Sequence, residues 1–232
     1  MALNNEKSRR PDGSVDAGEM LADAPGAQQS PWTAIGPGTR KAHRALGDTL
    51  SRYAHRLDRV HLELYTLRND LSAAAPWIDW YIDNEYLIRR ILRMLQRDLS
   101  ADFVAHLPVF VSGPMAGQTR VQEIARVALE RSEQRFDDNV LETMVLEQKG
   151  TAPLNTAELW ALPLLLRYQA LMLVMETVQR RSIDLASRDS HRGMVEVESR
   201  DLVADGILTL HRIERTSWQE FFERTSQVEA LL

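Results

Sequence analysis

Acidic and histidine side chains are the groups in this sequence that could hold a metal ion or exchange protons. Metal-assisted group transfer needs several such ligands close together, with a further group acting as acid or base. Asp83 and Glu85 are two residues apart, which on a helix places them on different faces. Asp137 and Asp138 stand where a helix is predicted to begin, and the helix dipole stabilises negative charge there. The six histidines include no HxxxH or HExxH pair. We therefore predict no metal-binding residues.

The sequence also lacks the short motifs of covalent and nucleotide-dependent enzymes. It contains no cysteine, so it has no thiol nucleophile and no thiolate zinc site. No G-x-S-x-G serine motif occurs. The glycine-containing stretch at 113–117 lacks the Lys-Ser/Thr pair of a phosphate-binding loop. We therefore expect no catalytic and no cofactor-binding residues in this chain.

Polar residues inside apolar segments form a second set of candidates, either as structural ties or as contacts to a ligand. They are Asp83, Asn84, Glu158, Trp160 and Arg167. A buried charge costs several kcal/mol unless it is paired. Arg167 is therefore expected to meet a carboxylate or the carbonyl groups at a helix end. Trp160 is expected to anchor the core, as is Trp218, since stacking on a sugar ring would require exposure.

Two further groups of residues are candidates for contact with a partner. They are Arg52, Arg56 and Arg59 in the first group, and Trp218, Phe221 and Phe222 in the second. The three arginines follow one another along a predicted helix, beside its apolar stripe. They form either a solvated basic face or a site for an anionic lipid or an acidic partner.

Composition places the chain among ordinary globular proteins. Its 232 residues are 44% hydrophobic and 26% charged, enough for one substantial core or two small ones. The net charge of −5 argues against nucleic acid as a partner, because such binding needs a basic face. The N-terminus has no apolar run typical of a signal peptide, and with the absence of cysteine this favours a reducing cytoplasm.

The spacing of apolar residues predicts an all-α fold, an irregular bundle of about seven helices. Residues 1–38 are rich in proline and glycine and are predicted to be a disordered tail, with a single helical domain over 39–232. The apolar segment at 155–181 is predicted to be a buried central helix, capped by Asn155 and Glu158 and kinked at Pro163. Residues 109–118 are expected to be a loop. The other predicted helices span 39–71, 77–97, 98–106, 119–131, 137–148, 201–213 and 217–231.

Several pieces of the sequence, in order, resemble the N-terminal helical region of cyclic β-1,2-glucan synthases, which are large membrane-bound bacterial glycosyltransferases. The resemblance covers about residues 73–232. The matching pieces are WYIDNEYLI at 80–88, Asp98-Leu99, Leu107-Pro108, Gly117 with Arg120-Val121, LNTAELWALP at 154–163 with Leu166-Arg167, and SWQEFFE at 217–223 with Ser226 and Val228-Glu229. ELWALP and WxxFFE are the most specific of these.

The resemblance implies a non-catalytic accessory region that packs on a transferase module and scaffolds or regulates glucan synthesis. It also implies a place at the inner face of the bacterial inner membrane, with membrane association through the parent assembly. One alternative is a stand-alone helical protein that self-associates as a homodimer through the helix at 40–71, whose spacing approaches a heptad repeat. The least supported alternative is an independent sugar- or nucleotide-binding enzyme.

Overall fold

The computed structural model describes residues 35–71, 75–149, 152–188 and 201–225. Over these residues the chain is an all-α assembly with one very short sheet, as the sequence predicts. Its helices are α1 (Arg40–Leu71), α2 (Pro76–Asp83), α3 (Glu85–Asp98), α4 (Ala101–Ala105), α5 (Arg120–Arg131), α6 (Asp138–Gln148), α7 (Thr156–Arg188), α8 (Leu202–Arg215) and α9 (Trp218–Thr225), and its strands are β1 (Ile35–Gly36) and β2 (Val109–Phe110).

Polar capping side chains account for the positions at which most of the described helices begin. Thr39 accepts a hydrogen bond from the Ala42 amide at the start of α1. Thr119 caps α5, and Asp201 caps α8. These short polar side chains satisfy amides that have no partner within the helix, which fixes where each helix begins. Of the predicted last helix, residues 226–231 lie outside the described part of the chain.

Helix α7 forms the centre of the fold. The predicted capping box is present, since Asn155 Oδ1 accepts from the Glu158 amide and Glu158 Oε2 accepts from the Asn155 amide, each at 2.9 Å. The helix continues through Pro163 and ends at Arg188, seven residues beyond the predicted end. It packs mainly against α5 and α8, and buried side chains occur on successive turns of the helix.

Helix α8 approaches α7 closely at Gly206. A Cβ at that position would lie 2.6 Å from Cγ2 of Val174, whose side chain is buried and stiff at χ1. Glycine therefore lets the two helix backbones come close together. The tight contact explains a glycine in the interior of a helix, where it lowers helix stability.

The segment predicted as one helix at 77–97 is two helices, α2 and α3, which meet at Asn84. The backbone of Asn84 leaves the helical conformation, with φ −112° and ψ 10°. Its side-chain amide donates to the Trp80 carbonyl at 2.9 Å, and its Oδ1 lies 3.0 Å from His211 Nε2 on α8. The Asn84 side chain thus makes hydrogen bonds that compete with the regular backbone hydrogen bonds of a helix. The prediction of a single helix was wrong here.

The short sheet corrects two predictions about loops. Strand β1 pairs antiparallel with β2, Ile35 opposite Phe110 and Gly36 opposite Val109. The predicted tail at 1–38 therefore extends too far, because its last residues pair with the body; residues 1–34 lie outside the described part. The stretch at 109–118, predicted to be a loop, begins with a strand. Gly38 is needed beside this sheet, because a Cβ there would lie 2.4 Å from the Ala105 carbonyl oxygen.

Candidate functional site

The most completely buried ion pair among the described residues joins α5 and α7. Arg120 Nε donates to Glu158 Oε1 at 2.7 Å, and Arg120 Nη2 donates to Glu158 Oε2 at 2.5 Å. The two side chains are 2% and 0% exposed. A two-pronged contact of this kind matches the planar guanidinium to the carboxylate and is among the strongest hydrogen-bonded arrangements in proteins.

The remaining hydrogen-bonding capacity of this pair is used by the segment that leads into α7. Arg120 Nη1 donates to the Ala152 carbonyl at 2.9 Å, and Nη2 to the Pro153 carbonyl at 3.1 Å. Glu158 Oε2 also accepts from the Asn155 amide. Every bond made by the pair holds protein backbone or side chain in place. We interpret it as a structural tie that fixes the start of α7 relative to α5.

Sequence reasoning singled out Glu158 but missed Arg120. Glu158 is recognisable because it completes a capping box within an apolar segment. Arg120 opens a helix of ordinary polar composition, and its partner is 38 residues away. No local pattern marks such a residue as buried.

Arg167 is paired as predicted. Its Nε donates to Glu214 Oε1 at 2.6 Å, and its Nη1 donates to the Pro163 carbonyl at 2.9 Å. Glu214 Oε2 also accepts from Arg90 at 2.6 Å, so one carboxylate of α8 joins α7 to α3. The carboxylate is therefore held by two cations and ties three helices together.

Asp83 and Asn84 lie elsewhere, at the junction of α2 and α3. Asp83 forms an ion pair with Arg68 of α1 at 3.0 Å, and Arg68 also pairs with Asp79 at 2.7 Å. Asn84 contacts Trp80 and His211, as described above. These contacts join α1, α2 and α8 and leave Asp83 largely exposed.

The five predicted polar residues therefore do not form one site. Glu158, Arg167 and the pair Asp83 and Asn84 each have separate partners, and Trp160 belongs to an aromatic cluster. Two surface cavities, one between α1 and α7 and one where α6, α8 and α9 meet, are lined by other residues. Within the described ranges no group of three or more acidic or histidine residues could hold a metal ion.

Trp160 differs most from its prediction. It was expected to anchor the core, but its side chain is 62% exposed. Its ring contacts Phe222 of α9, with centroids 5.2 Å apart. The adjacent Trp218 is partly buried and donates its indole N–H to the Ile213 carbonyl at 3.1 Å. Phe221, one of the three predicted C-terminal contact residues, is completely buried. It therefore belongs to the core and cannot meet a partner.

We call Trp160, Trp218 and Phe222 the aromatic surface. Its rings come from α7 and α9 and contact one another, since Trp218 and Phe222 have centroids 6.2 Å apart. Exposed tryptophan beside half-buried aromatic rings is typical of a protein interaction surface. Sequence reasoning named Trp218 and Phe222 as contact residues but placed Trp160 inside.

The three arginines of the other predicted surface are all exposed on α1. Arg52 and Arg56 line the cavity between α1 and α7, whereas Arg59 does not. This cavity is the larger of the two and combines charged, polar and apolar residues.

Tyr81 is a buried tyrosine whose hydroxyl has no hydrogen-bond partner among the described residues. Burial raises the pKa of Tyr81 to about 12. The folded protein thus holds the phenol proton more tightly than the unfolded chain does, where tyrosine has a pKa near 10. The resulting stability is complete below pH ~10 and is lost as the pH rises from about 10 to about 12.

Tyr81→Phe is expected to flatten this alkaline loss of stability. At pH 7 the variant should match the wild type or exceed it by up to about 1 kcal/mol, because it removes an unpartnered buried hydroxyl. Urea unfolding at pH 7 and at alkaline pH measures both effects. Tyr86→Phe, at a site 62% exposed, is the matched control and should change neither. A clear loss of stability in Tyr81→Phe at pH 7 would show that the hydroxyl has a partner after all.

Helix α7 also contains a segment, Thr156–Leu185, long and apolar enough to cross a membrane by length and composition. This is weak evidence, because the core helix of a soluble protein passes the same test, and 67% of the apolar window is buried here.

Comparison of the chain with protein-family models, with curated proteins and with solved structures finds no match.

Proposed function

We propose that this chain is a non-catalytic helical accessory region of the kind found in cyclic β-1,2-glucan synthases, and that it docks on a glycosyltransferase module. The observation that carries the proposal is the aromatic surface, which exposes Trp160 beside Phe222. These residues belong to ELWALP and WxxFFE, the two most specific pieces of the resemblance.

The separate pieces of the resemblance also contact one another in space. The Arg120 amide donates to the Pro108 carbonyl at 2.8 Å, which joins two of them. The Arg120 side chain binds Glu158, and Trp160 contacts Phe222. Four pieces, distant in sequence, therefore form one connected set of contacts. This arrangement supports the view that they record a shared fold and a shared surface.

The pairing of Glu158 and Arg167 favours docking over catalysis. The buried carboxylate of Glu158 accepts from Arg120 and the Asn155 amide, and each oxygen of the partly buried Glu214 carboxylate accepts from an arginine. A general acid or base must reach a substrate proton. Neither group has that freedom, and an exposed aromatic surface supplies what a docking region needs.

Self-association through α1 has less support. The near-heptad stripe of α1 is buried within the chain itself, so the surface expected to pair with a second copy is already occupied. Its buried members are Ala42, Leu46, Leu50, Tyr53, Leu57 and Leu64. Among the side chains of α1 that the structure describes, Leu62 and Tyr65 are the large apolar ones left exposed for such contact.

The proposal is tested by binding of the full chain to detergent-solubilised transferase module of a cyclic β-1,2-glucan synthase. Wild-type protein should bind, and Trp160→Ala should weaken binding at least tenfold, as expected for a central tryptophan of an interface. Tyr86→Ala is the matched control, because Tyr86 has the same 62% exposure and lies outside the aromatic surface. Circular dichroism confirms that each variant is folded.

The outcomes separate the candidate functions. Absence of binding by folded wild-type protein would overturn the docking proposal, as would equal effects of the two substitutions. A stable dimer in light scattering that is lost on Leu62→Ser and Tyr65→Ser, with no binding to the module, would favour self-association instead.

A further inference from the structure

The groove between α1 and α7 is the larger of the two surface cavities described above and has a volume of about 480 Å³. We call it the arginine groove. Its lining residues are Arg52, Tyr53, Arg56, Glu176, Gln179, Arg180, Ile183 and Asp184. Three of these carry a guanidinium group, and two carry a carboxylate.

The arginines of this groove lack the carboxylate partners found elsewhere. Arg56 Nη1 donates to the neutral amide oxygen of Gln179 at 2.7 Å. Arg52 Nη2 donates to the Thr49 hydroxyl at 3.0 Å. Arg180 makes no hydrogen bond or ion pair with any described residue. These three cations therefore retain donors that are free to bind an anion.

Many arginines on other parts of the bundle are paired with carboxylates. The ion pairs to carboxylates include those of Arg68, Arg89, Arg90, Arg97, Arg120, Arg126, Arg131, Arg135, Arg167, Arg181 and Arg224. Arginines without a carboxylate partner also occur elsewhere on the described surface, but three of them, Arg52, Arg56 and Arg180, line this one groove. The groove holds three arginines against two carboxylates, so its lining keeps a net positive charge that attracts an anion.

The charge of the surrounding helix favours the same kind of ligand. Over residues 40–59, α1 carries six lysines and arginines against Asp48 and Asp58, although the whole chain has a net charge of −5. The basic residues at the N-terminal end of α1 are exposed and lie along the helix that forms one wall of the groove. A local positive field of this kind raises the concentration of anions at the surface.

We propose that the arginine groove binds a phosphoryl group carried by a molecule with hydroxyl groups. Arginine forks match phosphate oxygens in two-pronged hydrogen bonds, and the three arginines that line the groove supply the donors. The carboxylate of Glu176 lines the same groove and would accept a hydrogen bond from a hydroxyl group beside the phosphate. The phosphate belongs to a soluble ester or to a lipid headgroup.

Ile183 distinguishes these two sources. Its side chain lines the groove and is 59% exposed, so it would meet the acyl region of a bilayer but would contribute nothing to the binding of a small soluble phosphate. The inference concerns α1 and α7 and is independent of the aromatic surface.

The test measures binding of two probes to the full chain. Glycerol phosphate is titrated by calorimetry, and vesicles of phosphatidylglycerol with phosphatidylcholine are compared with vesicles of phosphatidylcholine alone in a sedimentation assay. Arg56→Gln and Arg180→Gln should each weaken binding about tenfold, the loss of a charged hydrogen bond. Binding should also fall as ionic strength rises. Arg93→Gln is the matched control, since Arg93 is exposed on α3 and lies outside the groove.

Each outcome has a defined meaning. Binding of glycerol phosphate that is lost in the two groove variants and unchanged in Ile183→Ser identifies a soluble ester. Binding of the phosphatidylglycerol vesicles alone, weakened by the groove variants and by Ile183→Ser, identifies a lipid headgroup. If neither probe binds, or if Arg93→Gln weakens binding as much as the groove variants do, the groove is not a phosphoryl site. Thermal unfolding confirms that every variant is folded.

Discussion

Glu158→Gln is expected to lower the free energy of unfolding by about 3–5 kcal/mol, the cost of leaving one charge of a buried pair without its partner. The substitution keeps the shape of the side chain and its ability to complete the capping box. It removes the charge that Arg120 requires, and Arg120 is 2% exposed and cannot turn toward water without disturbing the start of α7. The loss should appear as a lower urea midpoint with a nearly unchanged slope.

A second variant tests whether the Arg120–Glu158 ion pair raises the free energy of unfolding or only fixes the start of α7 relative to α5. Arg120→Met combined with Glu158→Met should be less damaging than Glu158→Gln alone, because it leaves no unpaired buried charge and costs only the hydrogen bonds to the Ala152 and Pro153 carbonyls and the Asn155 amide. The matched control is Glu130→Gln, which breaks a largely exposed ion pair with Arg126 and should cost at most about 1 kcal/mol. A loss in Glu158→Gln no larger than that of the control would contradict the buried-pair interpretation.

The helices could be predicted from the sequence because their signals are local. A stripe of apolar residues at spacings of three and four defines α1, and a polar cap with an acidic residue three positions later defines the start of α7. The division between α2 and α3 was missed, because no proline or glycine marks it. Asn84 ends α2 through contacts to Trp80 and to His211 of α8, and the second of these depends on the tertiary fold.

The partners of polar side chains also depend on the tertiary fold and could not be predicted from local sequence. Arg167 could be predicted to pair because a single arginine within an apolar segment has to be neutralised, yet the identity of Glu214 could not be foreseen. Trp160 was placed wrongly for a related reason. A helix that is apolar nearly all round has no clear polar face, so its sequence does not tell which apolar side chain faces solvent. The aromatic surface and the arginine groove both depend on how α7 is rotated against its neighbours, and this is set by packing.

Phe221→Ala is the second substitution with a large expected effect, a loss of about 3–5 kcal/mol, as for other truncations of buried phenylalanine. Phe221 is completely buried and packs against Trp218, with ring centroids 5.5 Å apart. Helix α9 has eight described residues, too few to be stable without tertiary contacts. Removing this side chain should therefore detach α9, which hydrogen exchange of the α9 amides would reveal together with the lower urea midpoint.

Phe222→Ala is the matched control, because the neighbouring ring is only partly buried and faces Trp160. It should cost clearly less stability than Phe221→Ala and leave α9 protected from exchange. If the aromatic surface docks on a partner, Phe222→Ala should also weaken that binding while the protein stays folded. Equal destabilisation by the two substitutions would instead place Phe222 in the core and reduce the aromatic surface to Trp160 and Trp218. The two substitutions thus distinguish Phe221, the side chain that holds α9 in place, from Phe222, the side chain that α9 presents to another molecule.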